Sequence, residues 1–558
     1  MDESKEIKNL ELLAPKQSKL KLYLYLLVVV LLAVFLRVYK LDQIPPSLNW
    51  DEAAAGYNAF TIANWGQDEW GQTFPLIFTS FRDDKHPVHI YTAAVFVKLF
   101  GLSDFTTRLP AAVFGVLAVI LIFFLTKKLL KSNLAAFFAS FLLAISPYNI
   151  QFSRGLWEIN FALFYLMLGL FLFYLGLEKK NYLLTGSFVA FIVSMLSYHS
   201  AKVVVPAVLL TLIVFYFKQL IKLKEKFYLG LGIFLLFIIL MVLNPKIAGL
   251  ARVNQNKFSE EQIKKTEIYQ KTKNQTLAYG EIVGRQYLSH FSFAYLYEKG
   301  DPTPRNSIKV LGEFYKFEAP LFLLGLIFLI WSRSKVSMVL LVWLLSAPLP
   351  SALVQGAPNA SRALFMMGVM QLVEGFAVAK ILNWLSKGKF SLPQVKLTNF
   401  KYGLGIALII ISLISLKEFT DYYFGNYAKK DAIDWQYGMK EVVNFVQKYP
   451  DYSRVYMTDV RSQPYIFFLY YLKYPLPKYL STVQLNQDER SYKYNTVYSF
   501  DKYQFGGWDV VQSMPDPGLV YVVEDSKYGG LAHLKDFARY EKIKFPDGGA
   551  AFYIVSKY

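Results

Sequence analysis

Long apolar runs separated by short lysine-rich loops constrain this chain more than any other feature. Runs at 20–38, 108–127, 133–149, 159–177, 182–198, 202–217, 227–244, 316–332, 336–350, 363–384 and 402–418 carry almost no charge. A helix needs about 20 such residues to cross a bilayer core, and in lipid only helices and closed barrels satisfy the backbone polar groups. The chain is therefore expected to be a polytopic α-helical membrane protein with about 11 transmembrane helices. Composition agrees, because only 18% of residues are charged while 54% are hydrophobic, well short of the charge of a soluble chain. The chain has no cysteine, which excludes disulfides and thiolate metal sites. Its formal net charge of +19 does not point to nucleic acid, because the lysines flank the apolar runs and read first as an orientation signal.

Orientation turns on one short segment. Residues 87–100 are apolar, but as a helix they reach only about 21 Å against a core of about 30 Å, and they include His89 and Lys98. Read as a juxtamembrane helix, this segment leaves every short basic loop on one side. That side holds the N-terminal lysines, Lys127-Lys128-Lys131, Lys179-Lys180, Lys218 to Lys226, Arg333-Lys335 and Lys387 to Lys401. Residues 1–19 then form a cytoplasmic tail and 20–420 the membrane domain. The segments 39–107, 149–158, 198–202, 245–315 and 351–362 lie outside, as does the chain from about 419. The first run lacks a small-residue cleavage site and reads as a retained helix.

The tail differs from the rest. Turn signals stand at 449–451, 516–518 and 546–549, strand-like runs at 454–458, 519–523 and 551–555, and helical patterns at 438–448 and 463–472. Residues 421–558 are expected to form a small extracytoplasmic α/β domain.

The unusual polar residues all fall on the outer side. The first outer loop holds Asp51, Glu52, Arg82, Asp83, Asp84, Lys85, His86 and His89; the second holds Arg154, Trp157 and Glu158. The third holds His199 and Lys202, and the fifth Asn359 and Arg362. Acids beside a membrane are costly unless compensated, so the Asp51-Glu52 pair is a functional candidate. A carboxylate that deprotonates a hydroxyl, together with cations that neutralise a leaving phosphate, suits sugar transfer from a polyprenyl phosphate. No P-loop or dinucleotide fingerprint is present. His86 and His89, three residues apart, are candidate ligands for a divalent metal. His199 and Lys202 are candidate phosphate contacts, and Trp50 and Trp157 are candidate sugar-stacking residues.

At Trp50-Asp51-Glu52, Lys85-His86-Pro87, Thr107-Arg108-Leu109-Pro110, Ser153-Arg154 with Glu158, and Pro358-Asn359-Ala360-Ser361-Arg362-Ala363-Leu364, the chain resembles the GT-C membrane glycosyltransferases. The nearer likeness is to the protein O-mannosyltransferase and lipid A aminoarabinose transferase branch, which is glycosyltransferase family 39-like. The run from Ser289-His290 through Asp301 to Arg305-Asn306-Ser307 adds to it. The likeness covers roughly 20–420 and rests on the order of the motifs relative to the spans.

This resemblance implies an inverting transferase that moves a hexosyl or pentosyl group from a polyprenyl-phosphate donor to an acceptor hydroxyl. The acceptor would be a protein, lipid or glycan at the outer face of the cell membrane. Asp51 would be the base and Glu52 its assistant. Lys85, Arg154 and Arg362 would hold the donor phosphate, and Glu158 would stand where the family often has an aspartate. The competing reading is a transporter or flippase for a lipid-linked or anionic solute; it would place ionisable groups near the bilayer midplane, where these spans have few.

Overall fold

The structure, a computed structural model, describes residues 19–249, 255–387, 394–449, 452–459, 461–486, 496–507, 518–529 and 537–556. Residues 1–18 of the expected tail 1–19, Lys389, and the turn residues Pro450, Asp451, Asp516 and Pro517 lie outside the described residues.

Among the described residues, eight helices are long and apolar enough to cross a membrane. A ninth is a pair, Asn133–Ile145 and Pro147–Ser153, bent by 58°. Pro147 has no N–H to continue the first helix, which accounts for the break. Every expected run falls on a helix, but Leu183–Met195 and Glu318–Ser332 have only 13 and 15 residues. At 1.5 Å per residue they fall short of a bilayer core of about 30 Å. The expected eleven spans thus become eight or nine by length, with two shorter apolar helices beside them.

The chain divides into two compact units. The first combines described residues of Met1–Tyr39, Ala111–Ser153 and Glu158–Thr420. It is a helical bundle with an apolar interior, where Phe138, Leu321, Val378, Leu382 and Leu385 pack together. The second combines Lys40–Pro110, Arg154–Trp157 and Asp421–Tyr558. The first outer loop thus belongs to the same unit as the tail, although the sequence reading put them in separate domains.

In the second unit, α2 (Trp50–Trp65) follows α1 (Lys19–Val38), the first span. The hairpin β1 (Phe78–Ser80) and β2 (Asp83–Lys85) then leads to α3 (Pro87–Phe100), and α4 (Asp104–Leu130) begins the next span. Ser80 pairs with Asp83 across a two-residue turn, Phe81-Arg82, whose φ values are +58° and +60°. Positive φ at both turn residues is the geometry that suits the twist of a tight hairpin, and side chains adopt it at a cost.

The tail folds around a seven-stranded sheet. Its strands are β3 (Arg454–Thr458), β4 (Gln484–Leu485), β5 (Val497–Phe500), β6 (Tyr503–Gly506), β7 (Leu519–Glu524), β8 (Ala538–Lys544) and β9 (Ala550–Ser556), in the order β4-β5-β6-β3-β7-β9-β8. β3 runs parallel to both β6 and β7, and the outer pairs are antiparallel. The helices Met439–Lys448 and Pro464–Tyr471 lie where their apolar periodicity predicts them.

Candidate active site

Helix α2 starts at a fully built N-cap. The Asn49 side chain accepts the Asp51 and Glu52 N–H groups at 2.8 and 3.1 Å, and the Glu52 carboxylate returns to the Asn49 N–H at 3.2 Å. This is the reciprocal capping box. Both acids sit in the first turn, where the helix dipole favours negative charge.

The two acids then part. Asp51 keeps 35% of its side chain exposed and accepts from Lys85 Nζ at 2.9 Å. Lys85, 15% exposed, also reaches Asp83 at 3.0 Å. The hairpin positions that ammonium, since Lys85 is the last residue of β2 and pairs in register with Phe78.

Glu52, by contrast, is buried, and both its oxygens are engaged. Oε1 accepts from Arg108 Nε at 2.9 Å and from the Leu156 N–H at 3.1 Å; Oε2 accepts from Arg108 Nη2 at 3.1 Å. Arg108 is buried too and donates to the carbonyls of Leu41, Pro45 and Ser47. The sequence reading quoted Arg108 as part of a motif and gave it no role. A cation at the head of a span, two residues before Pro110, was the available signal.

Arg154 is buried, and its guanidinium donates to the carbonyls of Ile44 at 2.7 Å and Lys40 at 3.1 Å. It also stands 5.6 Å from the Tyr423 ring and 5.1 Å from the Phe424 ring. Burial pulls it down to about 10, with the Tyr423 hydroxyl acting the other way, so it stays charged at neutral pH. The guanidinium braces the loop at 40–44.

His86 stands at the N-cap position of α3 and His89 lies in its first turn; both rings are buried. Burial, then the neighbouring Lys85 charge, pushes His89 down to about 3, so it is neutral at physiological pH. Among the described residues no group of three or more His, Asp or Glu side chains is placed to hold a metal ion. Trp50 is half-buried at the start of α2, and Trp157 meets the buried Trp435 edge-on at 6.2 Å.

The remaining candidates belong to the first unit. Glu158 is the first residue of its helix. Lys202 donates to the Ile247 carbonyl, and the His199 ring and the Lys202 ammonium both approach Gly249. Arg362 donates to the Gln355 carbonyl at 2.6 Å and to Asn256 Oδ1 at 3.1 Å. Its short helix, Ala360–Ala363, is held by the long outer loop. The Asp301 carboxylate accepts the Ala360 N–H at 2.6 Å and Asn306 Nδ2 at 3.0 Å, while His290 Nε2 accepts the Asn359 N–H at 3.3 Å. The two motif runs that lie far apart in sequence thus meet here.

The long apolar helices are those of a multi-pass membrane protein. A family model described as Dolichyl-phosphate-mannose-protein mannosyltransferase matches residues 84–243. Apo ArnT from Cupriavidus metallidurans shares the fold at a TM-score of 0.55, with 12% identity over 96% of this chain and 98% of that one. The same protein bound to undecaprenyl phosphate gives 0.52, with 12% identity over 97% and 98%. The Archaeoglobus fulgidus oligosaccharyltransferase tethered with an acceptor peptide gives 0.53, with 15% identity over 96% of this chain and 74% of that one. No curated protein matches this chain.

Proposed function

We propose that the chain is an inverting glycosyltransferase that takes a sugar from a polyprenyl-phosphate donor at the outer face of the cell membrane. The observation that carries this reading is the Asp51–Lys85 pair, 2.9 Å apart and partly open to solvent, on a capped helix and a tight hairpin. Asp51 takes the proton of the acceptor hydroxyl as its oxygen attacks the anomeric carbon. The bond from that carbon to the phosphate oxygen breaks, and polyprenyl phosphate leaves with the electron pair. One displacement inverts the centre.

Lys85 has two tasks in this scheme. Next to Asp51 it holds the carboxylate in place. A donor phosphate competes for the same ammonium as a charge-assisted acceptor. Trp50 and Trp157 are candidate substrate contacts. Glu52 serves through Arg108 as a brace. The liking of the chain for transferases in fold and family model favours this reading over a transporter, and the likeness to a protein seen with undecaprenyl phosphate supports a lipid-linked donor. The lysine-rich loops support an outer-facing site.

Asp51→Asn is the test. Losing a general base lowers turnover by about 10²–10⁴-fold, so transfer from undecaprenyl-phospho-mannose or a pentosyl analogue should collapse while the protein remains in the membrane. Full transfer by that variant would end the assignment.

A further inference from the structure

Helix α2 receives one cap from far outside its own sequence. The Trp50 N–H, the first donor of the helix, meets Gln436 Oε1 at 2.7 Å, across 386 residues of chain. The other first-turn donors are served locally: Asp51 and Glu52 by the Asn49 side chain, and Ala53 by the Asn49 carbonyl at 2.9 Å. A helix leaves its first four N–H groups without internal partners. Here those four are Asn49, Trp50, Asp51 and Glu52: the Asn49 side chain meets two, the Glu52 carboxylate meets the Asn49 N–H, and the tail meets Trp50.

Gln436 is held as a cap should be. It is buried, and its Nε2 donates to the Arg461 carbonyl at 2.9 Å. The amide is thereby oriented, with its oxygen toward Trp50. Its backbone has a φ of +53°, a conformation side chains adopt at a cost and keep only where the surroundings impose it. Those surroundings are buried and bonded. The preceding Trp435 is buried, donates to the Tyr427 hydroxyl at 2.7 Å, meets Trp157 edge-on, and lies 5.6 Å from the Arg108 guanidinium. One side of this turn therefore faces the Glu52 brace and the other caps the helix that carries Asp51.

We infer that Gln436 is a positioning residue for Asp51, through which the tail domain sets the geometry of the Asp51–Lys85 pair. The inference rests on the reading of Asp51 as the base, but its test does not depend on activity. The tail is then part of the catalytic apparatus and not only a surface for the acceptor.

The test uses the full-length chain in lipid nanodiscs and two readouts that need no substrate. One is hydrogen exchange at the Trp50 amide; the other is the rate at which acetic anhydride modifies Lys85, which the Asp51 carboxylate shields. Gln436→Leu removes the bridge at similar size, whereas Gln436→Glu keeps the acceptor oxygen. In Gln436→Leu we expect at least tenfold faster exchange at Trp50 and at least threefold faster modification of Lys85. Exchange in β7 should stay unchanged, and Gln436→Glu should return the Trp50 rate to within threefold of the parent.

Unchanged Trp50 exchange in Gln436→Leu, or no recovery in Gln436→Glu, would overturn the capping role. Faster exchange with unchanged Lys85 modification would overturn the positioning role. Should Gln436→Leu disturb β7, Trp50→Pro deletes the same hydrogen bond from the donor side, and proline is well accepted at a first helical position. Its Lys85 should be modified as fast as expected for Gln436→Leu; a parental rate overturns the inference. Full transfer by Asp51→Asn would remove the base assignment while leaving these exchange results standing.

Discussion

Asp51 and Glu52 are adjacent carboxylates with opposite surroundings. Neighbours on a helix point about 100° apart, so one faces Lys85 and solvent and the other faces Arg108 in the interior. Substitution should separate them by kind of defect. Asp51→Asn should cost turnover and little stability. Glu52→Gln leaves the Arg108 charge buried and half-partnered, and breaking a buried pair in this way costs about 3–5 kcal/mol. Thermal unfolding in detergent should show that loss, and Glu52→Gln combined with Arg108→Met should be more stable than Glu52→Gln alone. Lys85→Met should lower turnover by at least about tenfold if, as proposed, its ammonium makes a charge-assisted contact to the leaving phosphate. Sequence could name these residues, since a near-membrane acid or cation is conspicuous. It could not assign their partners. The fate of Arg154 depends on carbonyls at Lys40 and Ile44, more than 100 residues away, and no local pattern reports that.

Elements were legible in proportion to how strongly burial shapes their composition. The spans stood out because lipid demands unbroken apolar runs, although the bend at Pro147 and the short helices Leu183–Met195 and Glu318–Ser332 blur their lengths. In the tail, β3, β7 and β9 were read from sequence because they lie inside the sheet and are apolar on both faces. β8 was missed: it is an edge strand, and its run Ala538-Arg539-Tyr540-Glu541-Lys542 is rich in charge rather than apolar, as edge strands often are. β4 is only two residues long. The β1–β2 hairpin was missed for another reason. Tight hairpins announce themselves by Asn-Gly or Asp-Gly, whereas this turn is Phe81-Arg82, held by the contacts of Phe81 with Tyr465 and of Arg82 with the Asn486 carbonyl. The element that delivers Lys85 is thus specified by the tail and not by its own sequence.

At the scale of the molecule, the first outer loop and the tail form one unit, and a buried acid at their junction ties that unit to pH. Glu69 is buried. It accepts from the Ser80 hydroxyl at 2.6 Å and from the Tyr465 hydroxyl at 3.4 Å, and its own N–H is held by Asn58 at 2.8 Å. Burial pushes its carboxyl up from 4.5 to about 7, with Asp68 adding to the rise and the Ser80, Asn58 and Tyr465 hydrogen bonds opposing it. An acid raised in the folded state binds its proton more tightly folded than unfolded. Its contribution to stability is therefore complete below about pH 4.5, falls as pH climbs, and is gone above about pH 7. A rise of that size corresponds to roughly 3 kcal/mol across the window. Glu69→Gln keeps an acceptor for Ser80 and Tyr465 but cannot ionise, so it should flatten this part of the stability profile and be more stable than the parent at pH 8. Tyr57 and Tyr479, which also crowd this acid, stay protonated throughout and contribute no slope. The check is urea or thermal unfolding of both proteins from pH 4.5 to 8, read from amide exchange within β7. A parent whose profile is as flat as that of Glu69→Gln would show that this junction holds a carboxylate at every pH, and that the loop and tail are joined without a proton.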